Sequence, residues 1–171
     1  NRRMLSVTEV VEALKYIVES ANVRVLFTVS PVRHIGEGME DNALSKAILR
    51  VAVSEVCAAY DKGVDYFPSY EIMMDDLRDY RFYDSDMIHP SPIAVDYIAD
   101  KFFGAALTDE AKALMHRVER IVVASEHRPF DPASEVYKTF CRKQLDDIAA
   151  LPKIDLSEEK AHFKQMLQIN L

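Results

Sequence analysis

Tryptophan, cysteine and glycine are scarce in this chain of 171 residues: none, two and four. Cys57 and Cys141 lie 84 positions apart, both within helical patterns, so neither a disulfide framework nor a thiolate metal site is expected. They read as buried thiols, which suits a reducing interior and favours the cytoplasm as location. Long apolar runs are missing too. None reaches the roughly 18 residues of a membrane span, so no membrane span is expected. Basic blocks and aromatic–basic interleaving are absent, and 21 Lys and Arg against 28 Asp and Glu leave a net charge of −7. That balance argues against nucleic acid as a partner. Neither a signal peptide nor an initiator Met is present. The chain opens Asn1-Arg2-Arg3-Met4, so its natural beginning, with any localisation signal, is expected upstream of it.

What is present is an ordinary globular composition, 49% apolar and 29% charged, of a length that suits one sizeable core. Ser6-Val7-Thr8-Glu9 forms a capping-box signature. Val7, Val10, Val11, Leu14, Ile17 and Val18 follow it at helical spacing, and Asn22 is the expected stop. Residues 23–29 are a short β-branched run of the kind that forms buried parallel strands. A polar loop over 33–41 leads to a helix expected over 42–60. Its apolar stripe is Leu44, Ala47, Ile48, Val51 and Val56, with Gly63 as C-cap. A second short strand begins at Val64 and is closed by Pro68. Residues 69–85 read as irregular, aromatic and charged. Ser91-Pro92 opens a further helix, to Gly104.

Strands joined through helices imply an α/β layer with parallel strands over residues 1–107. From 108 to 171 no strand pattern remains. Three helices starting near Thr108, Ser134 and Ser157 form a helical extension. Two strands alone make a marginal sheet. Further strands are therefore expected upstream, or a partner chain supplies the missing surface, a homo-oligomer being one way to do so.

The chemistry concentrates in Asp86-Met87-Ile88-His89. A tight turn brings residues three apart together, so the carboxylate can bond the nearer ring nitrogen and leave the far one free to take a proton. With 15 Asp and 5 His in the chain, chance supplies about 0.4 such steps, so its position has to carry the case. Ser30, the Arg33 loop, Ser69 to Glu71 and the D-x-x-H loop all fall at the carboxyl ends of the strands, where ligands bind in such sheets. Ser30 and Arg33 are the candidate substrate-binding residues, Arg33 through its anion-clamping fork. Nothing fixes His34, Glu37, Glu40 and Asp41 on one face, so neither a metal nor another cofactor is expected.

Several blocks carry a resemblance when taken in order. They are Phe27-Thr28-Val29-Ser30-Pro31-Val32-Arg33-His34, Asn42 with Ser45-Lys46, Tyr66-Phe67-Pro68-Ser69-Tyr70-Glu71, Leu77-Arg78-Asp79-Tyr80-Arg81-Phe82-Tyr83 and Asp86-Met87-Ile88-His89-Pro90-Ser91. Over about residues 5–105 the chain resembles the later part of the GSCFA family, which is grouped with the SGNH (GDSL-like) hydrolases. The resemblance implies a flavodoxin-like three-layer α/β/α sandwich. It also implies a catalytic pair in which Asp86 orients His89, and His89 activates a serine against an acyl or acetyl ester of a lipid or carbohydrate. The Gly-Ser-Cys-Phe-Ala block that names the family and would carry the nucleophile does not occur here. None of Gly36, Gly38, Gly63 and Gly104 opens a G-x-N oxyanion block. The expectation is a C-terminal portion, inactive by itself. The alternative is a non-catalytic interaction module that works through the helical extension.

Overall fold

The computed structural model describes residues 3–168. The chain divides into two compact units, with the boundary between Ala105 and Ala106. Together they hold seven helices and a two-stranded parallel sheet among the described residues, a mixed α/β composition that is 63% helical.

In the first unit, α1 (Val7–Ala21) starts as its sequence dictates. The Ser6 hydroxyl accepts from the Glu9 amide, and the Glu9 carboxylate reaches back to the Ser6 amide. Asn22 ends it in the left-handed conformation. Strand β1 (Val25–Phe27) pairs in parallel with β2 (Val64–Tyr66), Leu26 opposite Asp65. Both strands are shorter than their apolar runs. Pairing opens with the Val25 amide on the Gly63 carbonyl and closes with the Phe67 amide on the Phe27 carbonyl, beside Pro68. Between them, α2 (Met39–Ala59) crosses back and packs on α1, Val10 and Val11 of α1 meeting Ala52 and Val56 of α2 in one cluster with Val64 of β2.

Three expectations about α2 are corrected. The helix starts three residues before Asn42, whose side chain is committed elsewhere: it accepts the His34 amide. Gly63 is not its C-cap; the helix ends at Tyr60 in extended backbone, and Gly63, at φ +84°, makes the turn into β2. The buried stripe also differs. Val56 is buried and Ile48 packs on the core as expected, but Lys46, Ala52 and Val53 are buried too, Leu49 is partly buried beside them, and Leu44, Ala47 and Val51 are exposed. The second half of α2 is apolar nearly all round, so its sequence left the facing side open.

Residues 69–85 are largely helical. The single turn α3 (Ser69–Glu71) continues as a π turn (Ile72–Asp76), closed by the Leu77 amide on the Ile72 carbonyl. This widened turn aims Ile72, Met73 and Leu77 inward together, a spacing that neither the 3.6 nor the 2.0 period reveals. A 3₁₀ turn, Tyr80–Phe82, precedes the D-x-x-H loop. Helix α4 (Pro92–Ala106) follows, with the Ser91 hydroxyl accepting the Ala94 amide as its cap. Its Phe102 meets Phe67 edge to face at 5.1 Å.

In the second unit, α5 (Asp109–Glu126) is capped by Thr108 and α6 (Glu135–Ala149) by Ser134; α7 (Ser157–Met166) completes it. Ile121, Tyr137, Cys141, Ile148, Leu151, Leu156 and Phe163 form its core. Cys141 is fully buried, Cys57 half-buried, and both are free thiols. Among the described residues no helix is long and apolar enough to cross a membrane.

Candidate functional site

The D-x-x-H loop is a closed hairpin. A bridge between Tyr83 and Pro90 clasps its base, and the Asp84 amide donates to the His89 carbonyl at 2.8 Å. Inside it, Asp86 gathers three donors. Its Oδ1 accepts the amides of Ile88 and His89 at 2.8 and 3.0 Å, and its Oδ2 lies 2.6 Å from His89 Nδ1. The His89 ring bond, followed by the two amides, pulls the Asp86 carboxyl down to about 2. At neutral pH it is therefore ionised and can only accept, so Nδ1 is the donor and carries the proton. A neutral imidazole with its proton on Nδ1 offers Nε2 as a base. Asp86 and His89 are thus brought together as their spacing requires. Met87, between them, stands at φ +61°, in the left-handed region that non-glycine residues rarely adopt.

Ser30 and Arg33 lie in the loop after β1. Ser30 is exposed; its hydroxyl accepts the Val32 amide at 3.2 Å, and its carbonyl accepts from Lys46 Nζ at 2.6 Å. Arg33 reaches the D-x-x-H loop twice. Its amide donates to the Ile88 carbonyl at 3.1 Å and its guanidinium to the Met87 carbonyl at 2.9 Å. The guanidinium also lies 3.9 Å from the centre of the Tyr83 ring. Among the described residues Asp86 is the side chain that hydrogen-bonds the His89 ring, and no serine hydroxyl does so.

His89 borders an apolar groove of 510 Å³ lined by Leu26, Thr28, Pro31, Phe67, Ile98 and Phe102, among others. Ser69 also borders it, but its buried hydroxyl is committed: it donates to the Val29 carbonyl and accepts from Thr28. A separate cavity of 780 Å³, rimmed by Arg3, His34, Glu37 and Asp41, includes neither Asp86 nor His89. Among the described residues no group of three or more His, Cys, Asp and Glu side chains is placed to hold a metal ion.

Sequence reasoning missed Lys46. It is 8% exposed, its charge is disfavoured by burial, and it anchors the end of β1 through the Ser30 carbonyl. A signal was available: Lys46 falls on the same helical face as Leu49, Val53 and Val56, a cation on an apolar stripe.

Residues 1–102 match the model of the GSCFA family, and residues 118–169 match that of the GSCFA domain protein, C-terminal domain. No curated protein and no solved structure matches the chain. With the first of these models covering more than half of its length, the chain belongs to the GSCFA family.

Proposed function

We propose that this chain is the C-terminal portion of an SGNH-type serine ester hydrolase, with Asp86 and His89 as its acid–base arm. The observation that carries the reading is the 2.6 Å bond between an ionised Asp86 and His89 Nδ1, on an imidazole beside an apolar groove. In this reading Nε2 takes the proton of a serine hydroxyl as that oxygen attacks an acyl carbonyl, then returns it to the leaving alcohol. Asp86 stays ionised throughout and stabilises the imidazolium. The serine and the oxyanion donors come from sequence upstream of the chain. Substrates are acyl or acetyl esters of lipids or carbohydrates. Arg33 binds an anionic substrate group through the N–H groups its Met87 bond leaves over, and Ser30 contacts substrate at the strand end.

The same reading makes residues 1–107 part of a flavodoxin-like α/β/α sandwich and residues 108–171 its helical extension. Support comes from β1. It pairs with β2 along one edge only, so the backbone groups of Leu26 and Thr28 point to the other. The Leu26 side chain, on the sheet face, is 44% exposed and lines the groove. A further strand would pair the open backbone edge.

The test uses a protein that carries this chain together with a serine-bearing front segment, assayed on p-nitrophenyl acetate. His89→Ala is expected to lower kcat by roughly 10²–10⁴-fold. Unchanged esterase activity would overturn the assignment. One observation favours the interaction-module alternative: Phe130 and Val136, in the helical unit, are almost wholly exposed. That alternative predicts a stable complex that is lost when residues 108–171 are removed.

A further inference from the structure

The Asp86–His89 pair sits on an exposed loop, yet its geometry is tied to the interior through one residue. The loop after β1 is pinned to α2 at two points, Lys46 Nζ on the Ser30 carbonyl and the Asn42 side chain on the His34 amide. Arg33 projects from between those pins. Its backbone and side chain take the carbonyls of Ile88 and Met87, which are consecutive and lie inside the D-x-x-H turn. Tyr83, at the base of the same hairpin, supplies the platform under the guanidinium, and Tyr80 lies 5.6 Å away.

We propose that Arg33 is the positioning residue of the Asp86–His89 pair. Seated on Tyr83 and bonded to the Met87 carbonyl, it holds Met87 in the left-handed conformation that turns the Asp86 carboxylate onto the Ile88 and His89 amides and onto the His89 ring. The physical need is plain. Left to itself, a methionine favours negative φ. Relaxation there would rotate the peptide planes on both sides and swing the two amides away from Asp86 Oδ1. A guanidinium suits the task because its planar fork can donate to a carbonyl while its face lies on a ring. A lysine ammonium offers a point charge and no such plane. What the positioned pair is for rests on the hydrolase reading; that Arg33 positions it does not.

The experiment follows the Asp86 carboxyl by NMR titration in the full chain, with Asp84 of the same loop tracked separately. It requires no activity, so failure of the hydrolase assignment leaves it intact. In the unaltered chain the Asp86 midpoint is expected at about 2, held down by its bonds to the His89 ring and the two amides. Arg33→Ala is expected to raise that midpoint by roughly one pH unit or more, as the donors to the carboxylate are lost. Arg33→Lys keeps the charge and is expected to behave as Arg33→Ala does. Adding Met87→Gly to Arg33→Ala is expected to restore most of the shift, because glycine takes positive φ without strain. Retained dispersion of the α1 and α2 resonances shows that each variant is folded. An unmoved midpoint in Arg33→Ala overturns the proposal. So does full restoration by lysine with none by glycine, which would make Arg33 a charge and not a brace.

Discussion

Asp86 shows how much one carboxylate can organise on an exposed loop. Its side chain closes the turn through two amides and fixes the His89 tautomer through a third bond. Its depressed pKa makes this arrangement acid-sensitive, with a definite sign. A carboxyl held at about 2 in the folded chain and near 4 when unfolded contributes stability above pH 4. That contribution is lost as pH falls toward 2. Asp86→Asn should therefore lower the melting temperature at pH 5 to 7, with the deficit shrinking to nothing near pH 2. Parallel melting curves of the two proteins across that range check it, and a deficit that ignores pH would refute it. Glu9, drawn down to about 2 chiefly by its bond to Arg3 and then by Ser6, weakens over the same window in both proteins and cancels in the comparison. The residue pair itself was legible in the sequence, because a spacing of three is a local geometric fact. Arg33 was legible only as a candidate anion clamp, not as a residue bonded to the D-x-x-H loop. Its partners lie 54 and 55 positions along the chain.

At the scale of elements, helix starts read most directly from sequence. Ser6, Thr108 and Ser134 each accept the amide three residues on, as short polar side chains before an apolar run should. Helix ends and irregular turns read less well. Gly63 was assigned to the end of α2 because glycine so often caps helices, whereas its positive φ serves the entry into β2. No atom lies within 4 Å of the space a methyl group would fill there. Gly63→Ala therefore has a conformational cost alone, about 1–2 kcal/mol for a left-handed alanine. Urea denaturation should show that loss; a neutral result would mean that the turn relaxes to negative φ. The π turn after α3 was illegible for a different reason. Its five-residue closure from Leu77 to Ile72 depends on Met73 and Leu77 both finding the cluster with Ala94, a tertiary demand that no local periodicity encodes.

At the scale of the molecule, most apolar burial among the described residues gathers in three clusters that share no residue, two in the first unit and one in the second. Phe163, in the last of these, is its largest fully buried side chain. Phe163→Ala should destabilise the helical unit by about 3–5 kcal/mol, while the resonances of α1 and α2 stay in place. Residue-resolved denaturation by NMR measures both. The sequence by itself determined the helix starts capped by Ser6, Ser91, Thr108 and Ser134, the two parallel strands and the closeness of Asp86 to His89. Each rests on interactions between residues close in the chain, or on composition, which needs no partner. Only the tertiary structure decided which face of α2 is buried and that Lys46 lies on it. It alone decided that Ser69 is committed to Val29 and that Arg33 braces a turn some fifty residues away. Those outcomes depend on which surfaces meet, and an apolar stripe or a free cation constrains its partner's chemistry but not its address in the chain.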